Sequence, residues 1–299
     1  FFNKEIDMNT VLGAAKKALA IVALASMTLT SSAAFADAEV NDLLQVGENQ
    51  FQDTDAERIL DSTGAVKTSG NFEVGDVIQA IMRFTDVNAV VVSDNPGFGF
   101  PYQLNAYSEL LVANINTDGL SQDLIDAGFV NLVFAPTGNL STATSMADIY
   151  ERTTNTPGFD VTVDPVTGIS QVTSGTHITS LGLVEGDDFW VATTLLDIGA
   201  AAAAEPGSSQ QALGVFGLSV TANPGALPID PNGIQSGATG TFHDVVGSAS
   251  AYVLDTNAND GWLVSSNTEA RFNVVPEPST LALLSFGLLG AAAMRRRRS

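Results

Sequence analysis

The sequence predicts an all-β body, a single β-sandwich of jelly-roll or immunoglobulin-like type with two or three short helices. Apolar and polar residues alternate in many short stretches, as at 159–163, where Phe159, Val161 and Val163 would share one face of a strand. Clusters of Gly, Asn, Asp or Pro follow most of these stretches. No fixed-period repeat and no long linker divides the chain, so a single domain is expected.

The same patterns place the individual elements. Strands are predicted at 77–84, 129–135, 159–163, 177–184, 189–194, 213–220, 248–254, 262–265 and 269–274. A turn is predicted at 165–168, directly after the alternating stretch. Helices are predicted at 118–127, 144–152 and 200–204, and the first of them ends before Gly128, a suitable residue for a helix C-terminus.

The amino-terminal segment has the layout of a secretory signal peptide. Lys16 and Lys17 form a basic region, a largely apolar stretch of twelve residues follows at 18–29, and Ala34 and Ala36 form an A-x-A-type cleavage site. Met8 is the expected natural start, so residues 1–7 are interpreted as an upstream extension. The domain prediction is therefore a signal peptide at 8–36 and a β-sandwich body at 37–275.

The carboxyl-terminal segment combines an apolar run with a basic cluster. Residues 281–294 carry no charge, and as a helix they would extend roughly 21 Å, enough for a thin or transient membrane span. Four basic residues follow this run: Arg295, Arg296, Arg297 and Arg298. Clustered arginines stay on the cytoplasmic side of a bacterial membrane, so the body is expected on the other side of it.

A family resemblance links these features. Val275-Pro276-Glu277-Pro278-Ser279-Thr280, the apolar run containing 287–290, and the terminal arginines resemble the PEP-CTERM sorting domain of Gram-negative bacteria. The resemblance covers only 276–299 and the residue before it, and the body is not recognised. It implies processing by exosortase, a membrane enzyme with a cysteine nucleophile, in organisms that make exopolysaccharide. In such a tail Pro276, Glu277 and Pro278 are recognised, and the helix with its arginines holds the precursor in the inner membrane. The Sec translocon and signal peptidase are the expected export partners.

Charge and cysteine content exclude several function classes. The chain has 33 acidic and 12 basic residues and a net charge of −21. The expected body holds only five basic residues: Arg58, Lys67, Arg83, Arg152 and Arg271. Such a surface repels nucleic acid and anionic headgroups and attracts cations. Cysteine is absent, which excludes thiol catalysis and thiolate metal sites from the body.

Catalytic signatures are sparse. A zinc hydrolase needs three or four nitrogen or sulfur ligands, or a mixture of these with carboxylate, and the only histidines are His177 and His243. Neither H-E-x-x-H nor G-x-S-x-G occurs in the body. A Ser/His/Asp set assembled from distant positions stays open, and His243 beside Asp244 is suggestive to that extent. A glycosidase needs two carboxylates at a set separation, which a sequence this rich in acids does not test. We therefore expect a non-enzymatic protein.

Calcium is the one cofactor that the sequence suggests. Asp255, Asn257 and Asn259 place oxygen ligands at alternate positions, as at the start of an EF-hand loop, but Asp260 and Ser266 depart from that motif. The stretch is either a calcium loop or a polar hairpin turn. Weaker candidates of the same kind lie at 185–188 and 53–55. Another candidate contact is aromatic, since Phe98, Phe100 and Tyr102 alternate in a loop-like stretch and would either stack on sugar rings or plug the end of a sandwich.

The sequence thus leads to one hypothesis and two alternatives. The first is an exported, exosortase-processed protein of the cell surface or extracellular matrix, with a structural or adhesive role in exopolysaccharide and biofilm. The alternatives are a lectin-like carbohydrate-binding module and a secreted carbohydrate-active hydrolase. The fold class alone does not choose among them.

Overall fold

A computed structural model of the chain describes residues 39–88, 90–91, 102–153, 164–199, 212–253 and 261–275. A 3₁₀ helix, Glu39–Leu43, precedes the first strand. The strands are β1 Gly47–Leu60, β2 Val77–Val87, β3 Val90–Val91, β4 Tyr102–Asn116, β5 Phe129–Pro136, β6 Ser145–Thr153, β7 Thr176–Gly182, β8 Phe189–Leu195, β9 Ala212–Ala222, β10 Ile234–Gln235, β11 Phe242–His243, β12 Val245–Val253 and β13 Val264–Val274. The helices are α1 Gln122–Asp126 and α2 Pro165–Thr173.

The strands close into an eight-stranded antiparallel barrel. Strands β2, β1, β13, β12 and β9 are consecutive neighbours, and β4 closes the ring by pairing with β2. Two strand pairs complete the wall between β9 and β4, one formed by β8 and β5 and the other by β7 and β6. With either pair counted, the strands form a closed ring of eight.

Two strands make this forked wall possible because each pairs with two partners along one edge. The first half of β4 pairs with β6 and the second half with β5. Likewise the first half of β9 pairs with β8, and its end pairs with β7. The wall therefore divides into two branches, while the opposite wall stays a single sheet.

The sandwich prediction is therefore wrong, although the described chain is mostly β with few helices. Alternation shows that one face of each strand is buried, and it does so equally for a sandwich and for a barrel. What distinguishes the two is whether the sheet edges meet. Here the strand that joins the edges is β4, a fifteen-residue strand that the sequence patterns did not predict.

Most of the predicted strands are confirmed, including the last, which is part of β13. The predicted helix at 118–127 is shortened to α1, with Ser121 as its N-cap residue. The predicted helix at 144–152 is wrong, because this segment forms β6 and pairs with β4 and β7. The predicted turn at 165–168 is also wrong and forms the start of α2. The predicted strand at 159–163 and helix at 200–204 lie outside the described residues.

Helix α2 begins where the sequence carries two helix-start signals. The Asp164 carboxylate accepts hydrogen bonds from the backbone N–H groups of Val166 and Thr167, both at 3.1 Å, and Pro165 occupies the first turn. The helix packs on the outer face of the barrel, where it completes a small apolar cluster of Ala56, Ile81, Tyr107, Val172 and Trp262. The larger apolar cluster fills the barrel interior.

Among the described residues, no helix has the length and apolar character needed to cross a bilayer. The predicted tail helix and the predicted signal peptide lie outside those residues.

Candidate functional site

The barrel wall changes its bonding between β1 and β13. Their backbone register runs from Gly47 opposite Val274 to Gln52 opposite Glu269, and it resumes at Glu57 opposite Val264. Between these points side chains bridge the two strands. The Thr268 N–H donates to Asp53 Oδ1 at 2.7 Å, the Ser266 N–H donates to Asp55 Oδ1, and the Ser265 hydroxyl donates to the Asp55 carbonyl at 2.8 Å. We call Asp53, Asp55, Glu57, Ser266 and Thr268 the carboxyl seam.

The seam carboxyls occupy positions that apolar residues hold elsewhere on β1. Successive side chains of a strand point to opposite faces, so Asp53, Asp55 and Glu57 share the inward face with Phe51 and Ile59 of the core. Asp53 is 4% exposed and Asp55 is 1% exposed. Three acidic side chains therefore line the inner wall of the barrel.

Burial controls the protonation of the seam. It raises the pKa of Asp53 to about 8, and the nearby Glu57 charge adds to this, while the Thr268 N–H opposes it. Burial raises the pKa of Asp55 well above its ordinary value, and the charges of Glu57 and Asp53 act in the same direction. Burial also raises the pKa of Glu57. These acids favour their neutral forms, because a charged carboxylate inside the barrel loses its hydration.

The hydrogen-bond pattern leads independently to the same conclusion. The Ser266 hydroxyl contacts Asp55 Oδ2 and also lies 2.7 Å from Glu57 Oε1. A serine hydroxyl carries a single proton, so it can donate to only one of these oxygens. The second contact is a hydrogen bond only if the other carboxyl is itself protonated and donates to the serine oxygen. The seam is thus built to hold at least one proton.

The seam separates an inner cavity from an outer concavity. The inner cavity has a volume of about 100 Å³ and is lined by Asp55, Glu57, Ser266 and many apolar side chains. The outer concavity, of about 650 Å³, runs across β1, β13, β12 and β9. Thr268 lines both spaces, and Asp53 lines the outer concavity and a second interior space of about 50 Å³.

The two spaces differ in what they can hold. Small-molecule sites measure roughly 300–1,000 Å³. The inner cavity is well below that range and is suited to a few water molecules. The outer concavity is within the range, and its rim carries hydroxyl, amide and carboxylate groups from Gln52, Thr54, Ser248, Ser250, Asn267 and Glu269.

The two histidines have different surroundings. His177 is part-buried, and its Nε2 atom lies 2.7 Å from Ser180 Oγ and 3.9 Å from Asp148 Oδ1. His243 is fully buried, and its carboxylate partner is Asp188 at 3.2 Å rather than its sequence neighbour Asp244. Asp244 instead accepts hydrogen bonds from the backbone N–H groups of Val220 and Asn232.

Both weaker calcium candidates, 185–188 and 53–55, lie in described parts of the chain. Residues 53–55 are mid-strand in β1 rather than in a turn, and Asp188 of 185–188 binds backbone N–H groups and His243. Among the described residues, no group of three or more acidic or histidine side chains is arranged to hold a metal ion. Tyr102 begins β4. The remaining candidates lie outside the described residues: Ala34, Ala36, Phe98, Phe100, Asp255, Asn257, Asn259, Pro276, Glu277, Pro278 and the four terminal arginines.

The carboxyl seam itself was not predicted. Its sequence signal is the alternation of Asp53, Asp55 and Glu57 between Phe51 and Ile59, which continues the two-residue period of an inward face with acids in place of apolar residues. A period of two identifies the strand, whereas only the barrel topology shows that this face is enclosed.

Fold and site together define a closed antiparallel barrel with a proton-holding seam and a polar outer concavity. Comparison with known proteins adds the sorting signal, since residues 274–298 match the model of the PEP-CTERM protein-sorting motif. The predicted resemblance is thereby confirmed. The motif indicates an exported protein that exosortase sorts and processes from a membrane-anchored precursor.

The body has no comparable match. No curated protein matches the chain. A solved structure described as "Structural Studies of Acetoacetate Decarboxylase" aligns over 77% of this chain and 88% of its own, with 7% identity and a TM-score of 0.19. A likeness at that level carries no argument about fold or activity.

Proposed function

We propose that the processed protein is a cell-surface or extracellular-matrix component with a structural or adhesive role in exopolysaccharide, which it contacts through the outer concavity. The sorting motif accounts for its delivery outside the cell. The observation that carries the proposal is the concavity itself, a polar depression of about 650 Å³ on the one wall of the barrel that is a single sheet.

The lining of the concavity matches the chemistry of sugars. Gln52 and Asn267 are exposed amides, and Thr54 and Ser250 supply hydroxyls, so donors and acceptors stand side by side. Leu213 is 54% exposed at the same depression and offers an apolar surface for the C–H face of a sugar ring. This mixture supports binding of a polymer that presents hydroxyls along a chain.

Charge restricts which polymers are suitable. Glu269 lies at the rim, and the chain carries a net charge of −21. A neutral polysaccharide meets no repulsion, whereas an acidic one requires a divalent cation to bridge the two negative surfaces. Binding of acidic exopolysaccharide is therefore expected to rise when calcium is added, and binding of neutral polysaccharide is not.

A polysaccharide hydrolase is less well supported. Such an enzyme needs two carboxyl groups on opposite sides of a bound sugar. The closely spaced carboxyls Asp55 and Glu57 line the inner cavity of about 100 Å³, where a polymer has no room.

Localisation is tested by blotting membrane and secreted fractions from strains with and without exosortase. We expect a processed form outside wild-type cells and an unprocessed form held in the membrane fraction of the mutant. Equal amounts of secreted product in both strains would contradict the sorting step.

Polymer contact is tested by affinity electrophoresis of the purified chain in gels containing exopolysaccharide. The double variant Gln52→Ala/Asn267→Ala loses two hydrogen-bonding amides, each contributing about 0.5–1.5 kcal/mol, so we expect affinity to fall by roughly 5- to 150-fold. Gln122→Ala is the matched control, because Gln122 is an exposed amide on α1. The adhesive role is wrong if the chain is not retarded, or if both variants behave alike.

A further inference from the structure

Three side chains form a connected relay beside the strand pair β10–β11. Asp188 Oδ1 lies 3.2 Å from His243 Nδ1, and His243 Nε2 lies 2.7 Å from the hydroxyl of Thr241. In sequence, His243 is 55 residues from Asp188 and two residues from Thr241, and the fold brings the three side chains together. The order is carboxylate, imidazole, hydroxyl.

The fold fixes the central imidazole firmly. His243 is fully buried and meets the Phe189 ring edge-on, with the ring centres 5.5 Å apart. A Cβ atom at position 217 would lie 2.5 Å from Cδ2 of His243, so the ring occupies space that only glycine leaves free. The imidazole therefore has one position in which to act.

The carboxylate is fixed equally well. Asp188 Oδ2 accepts hydrogen bonds from the N–H groups of Val184 and Glu185 and from the Ser219 hydroxyl, each at 2.8 Å. Its other oxygen is left to receive the imidazole.

Hydrogen-bond roles follow from these contacts. Oδ1 of an ionised carboxylate can only accept, so Nδ1 of His243 carries the proton in that bond. In the neutral ring Nε2 then has a free lone pair and accepts the hydroxyl proton of Thr241. This is the arrangement that turns a hydroxyl into a nucleophile, with the base oriented by a third group. His177 differs from His243, because the same ring nitrogen, Nε2, faces both Ser180 and Asp148. The carboxylate and the hydroxyl therefore do not lie on opposite nitrogens of that ring.

The hydroxyl end of the relay is close to solvent. Thr241 is part-buried, and its Oγ1 lies 2.6 Å from Oγ1 of Thr239, which is exposed. The interior of the relay is enclosed, whereas its nucleophilic end lies at the surface of the turn that joins β10 and β11. Thr241 is therefore the end of the relay that a small group from solvent would meet first.

We propose that Thr241 is a nucleophile that accepts an acyl group from small carboxylic esters, with His243 as general base and Asp188 as its positioning residue. The Thr241 oxygen forms a bond to the acyl carbon while its proton passes to His243. The bond from the acyl carbon to the ester oxygen then breaks, and the proton on His243 passes to the departing alcohol. Water attacks the acyl-threonine in the same way, releasing the carboxylic acid and restoring the hydroxyl.

The test uses the purified full chain and p-nitrophenyl acetate as the probe. Release of nitrophenolate is followed by absorbance, and peptide mass spectrometry locates the acetyl group. We expect acetylation of Thr241 in the wild-type chain. Rates should be lower by at least about 100-fold in Thr241→Val and His243→Gln, because a positioned general base contributes about 10²–10⁴-fold. Thr241→Ser should keep the reactivity.

Thr239→Val is the matched control, since it removes the neighbouring hydroxyl that contacts Thr241 and keeps Asp188, His243 and Thr241 themselves. Circular dichroism of each variant separates loss of reactivity from loss of fold, and Thr241→Val answers the question even if His243→Gln does not fold. The proposal is overturned if the wild-type chain is not acetylated at Thr241, or if Thr241→Val and wild type react at the same rate. Neither result bears on polysaccharide binding at the outer concavity.

Discussion

The carboxyl seam makes the stability of the barrel depend on pH in an unusual direction. An acid whose pKa is raised in the folded state binds more protons there than in the unfolded chain. Asp53 has a folded-state pKa of about 8, against about 3.9 in an unfolded chain. Its contribution is complete below pH 4 and is lost progressively as the pH rises towards 8. Most proteins change in the opposite direction over this range, because their carboxylates are stabilised by partners.

The magnitude follows from the proton difference. One group that is protonated only in the folded state lowers the unfolding free energy by about 1.4 kcal/mol for each unit of pH. Between pH 5 and pH 7 Asp53 alone thus accounts for about 3 kcal/mol. Asp55 and Glu57, whose pKa values are also raised, steepen the dependence.

The assay is urea unfolding of the purified chain at pH 5, 6, 7 and 8, for the wild type and for Asp53→Asn. The asparagine amide keeps an oxygen for the Thr268 N–H but has no proton to lose. We expect the unfolding free energy of the variant to fall less steeply, by about 1.4 kcal/mol per pH unit. Asp61→Asn is the control, because Asp61 is only part-buried and hydrogen bonds from Thr63 and Ala65 lower its pKa, so its titration lies below this range. Unfolding free energies that are constant or rise from pH 5 to pH 7 would refute the reasoning, as would equal slopes in wild type and Asp53→Asn.

Two further substitutions test packing. Gly217→Ala should destabilise the chain by about 1–3 kcal/mol in urea unfolding, because its Cβ would meet the immobile ring of His243, whereas Gly186→Ala, with open space around its Cβ position, should have little effect. Leu132→Ala should cost about 2–5 kcal/mol, because Leu132 is 1% exposed beside the inner cavity, and the exposed Leu213 gives the matched control Leu213→Ala with a change near zero. Equal losses in either pair would show that the burial assigned to Gly217 or Leu132 is wrong.

The sequence predicts those strands of the fold whose signals are local, and it misses the others. β8 and β9 were predicted because their apolar residues and flanking turns are local signals. β1 was not, because acids replace apolar residues on its inward face, and the segment of β6 was predicted as a helix because pairing with β4 and β7 overrides local preference. α2 was missed because Asp and Pro begin turns as well as helices.

The candidate site was less predictable than the fold. The sorting motif is contiguous and could be read directly from the sequence. The relay joins Asp188 to His243 across 55 residues, and no local pattern brings them together. The adjacent residue Asp244 was the natural choice from sequence, yet neighbouring residues of an extended chain point in opposite directions.

The position of β13 has a mechanical consequence. The sorting motif begins at Val274, the residue at which β13 ends, so any force on an anchored tail is carried along this strand. Load applied along a strand shears its cross-strand bonds together, and on the β1 side several of those bonds end on acids that can ionise. The pH on the exported side of the membrane would then set how firmly the barrel of the anchored precursor resists being pulled open.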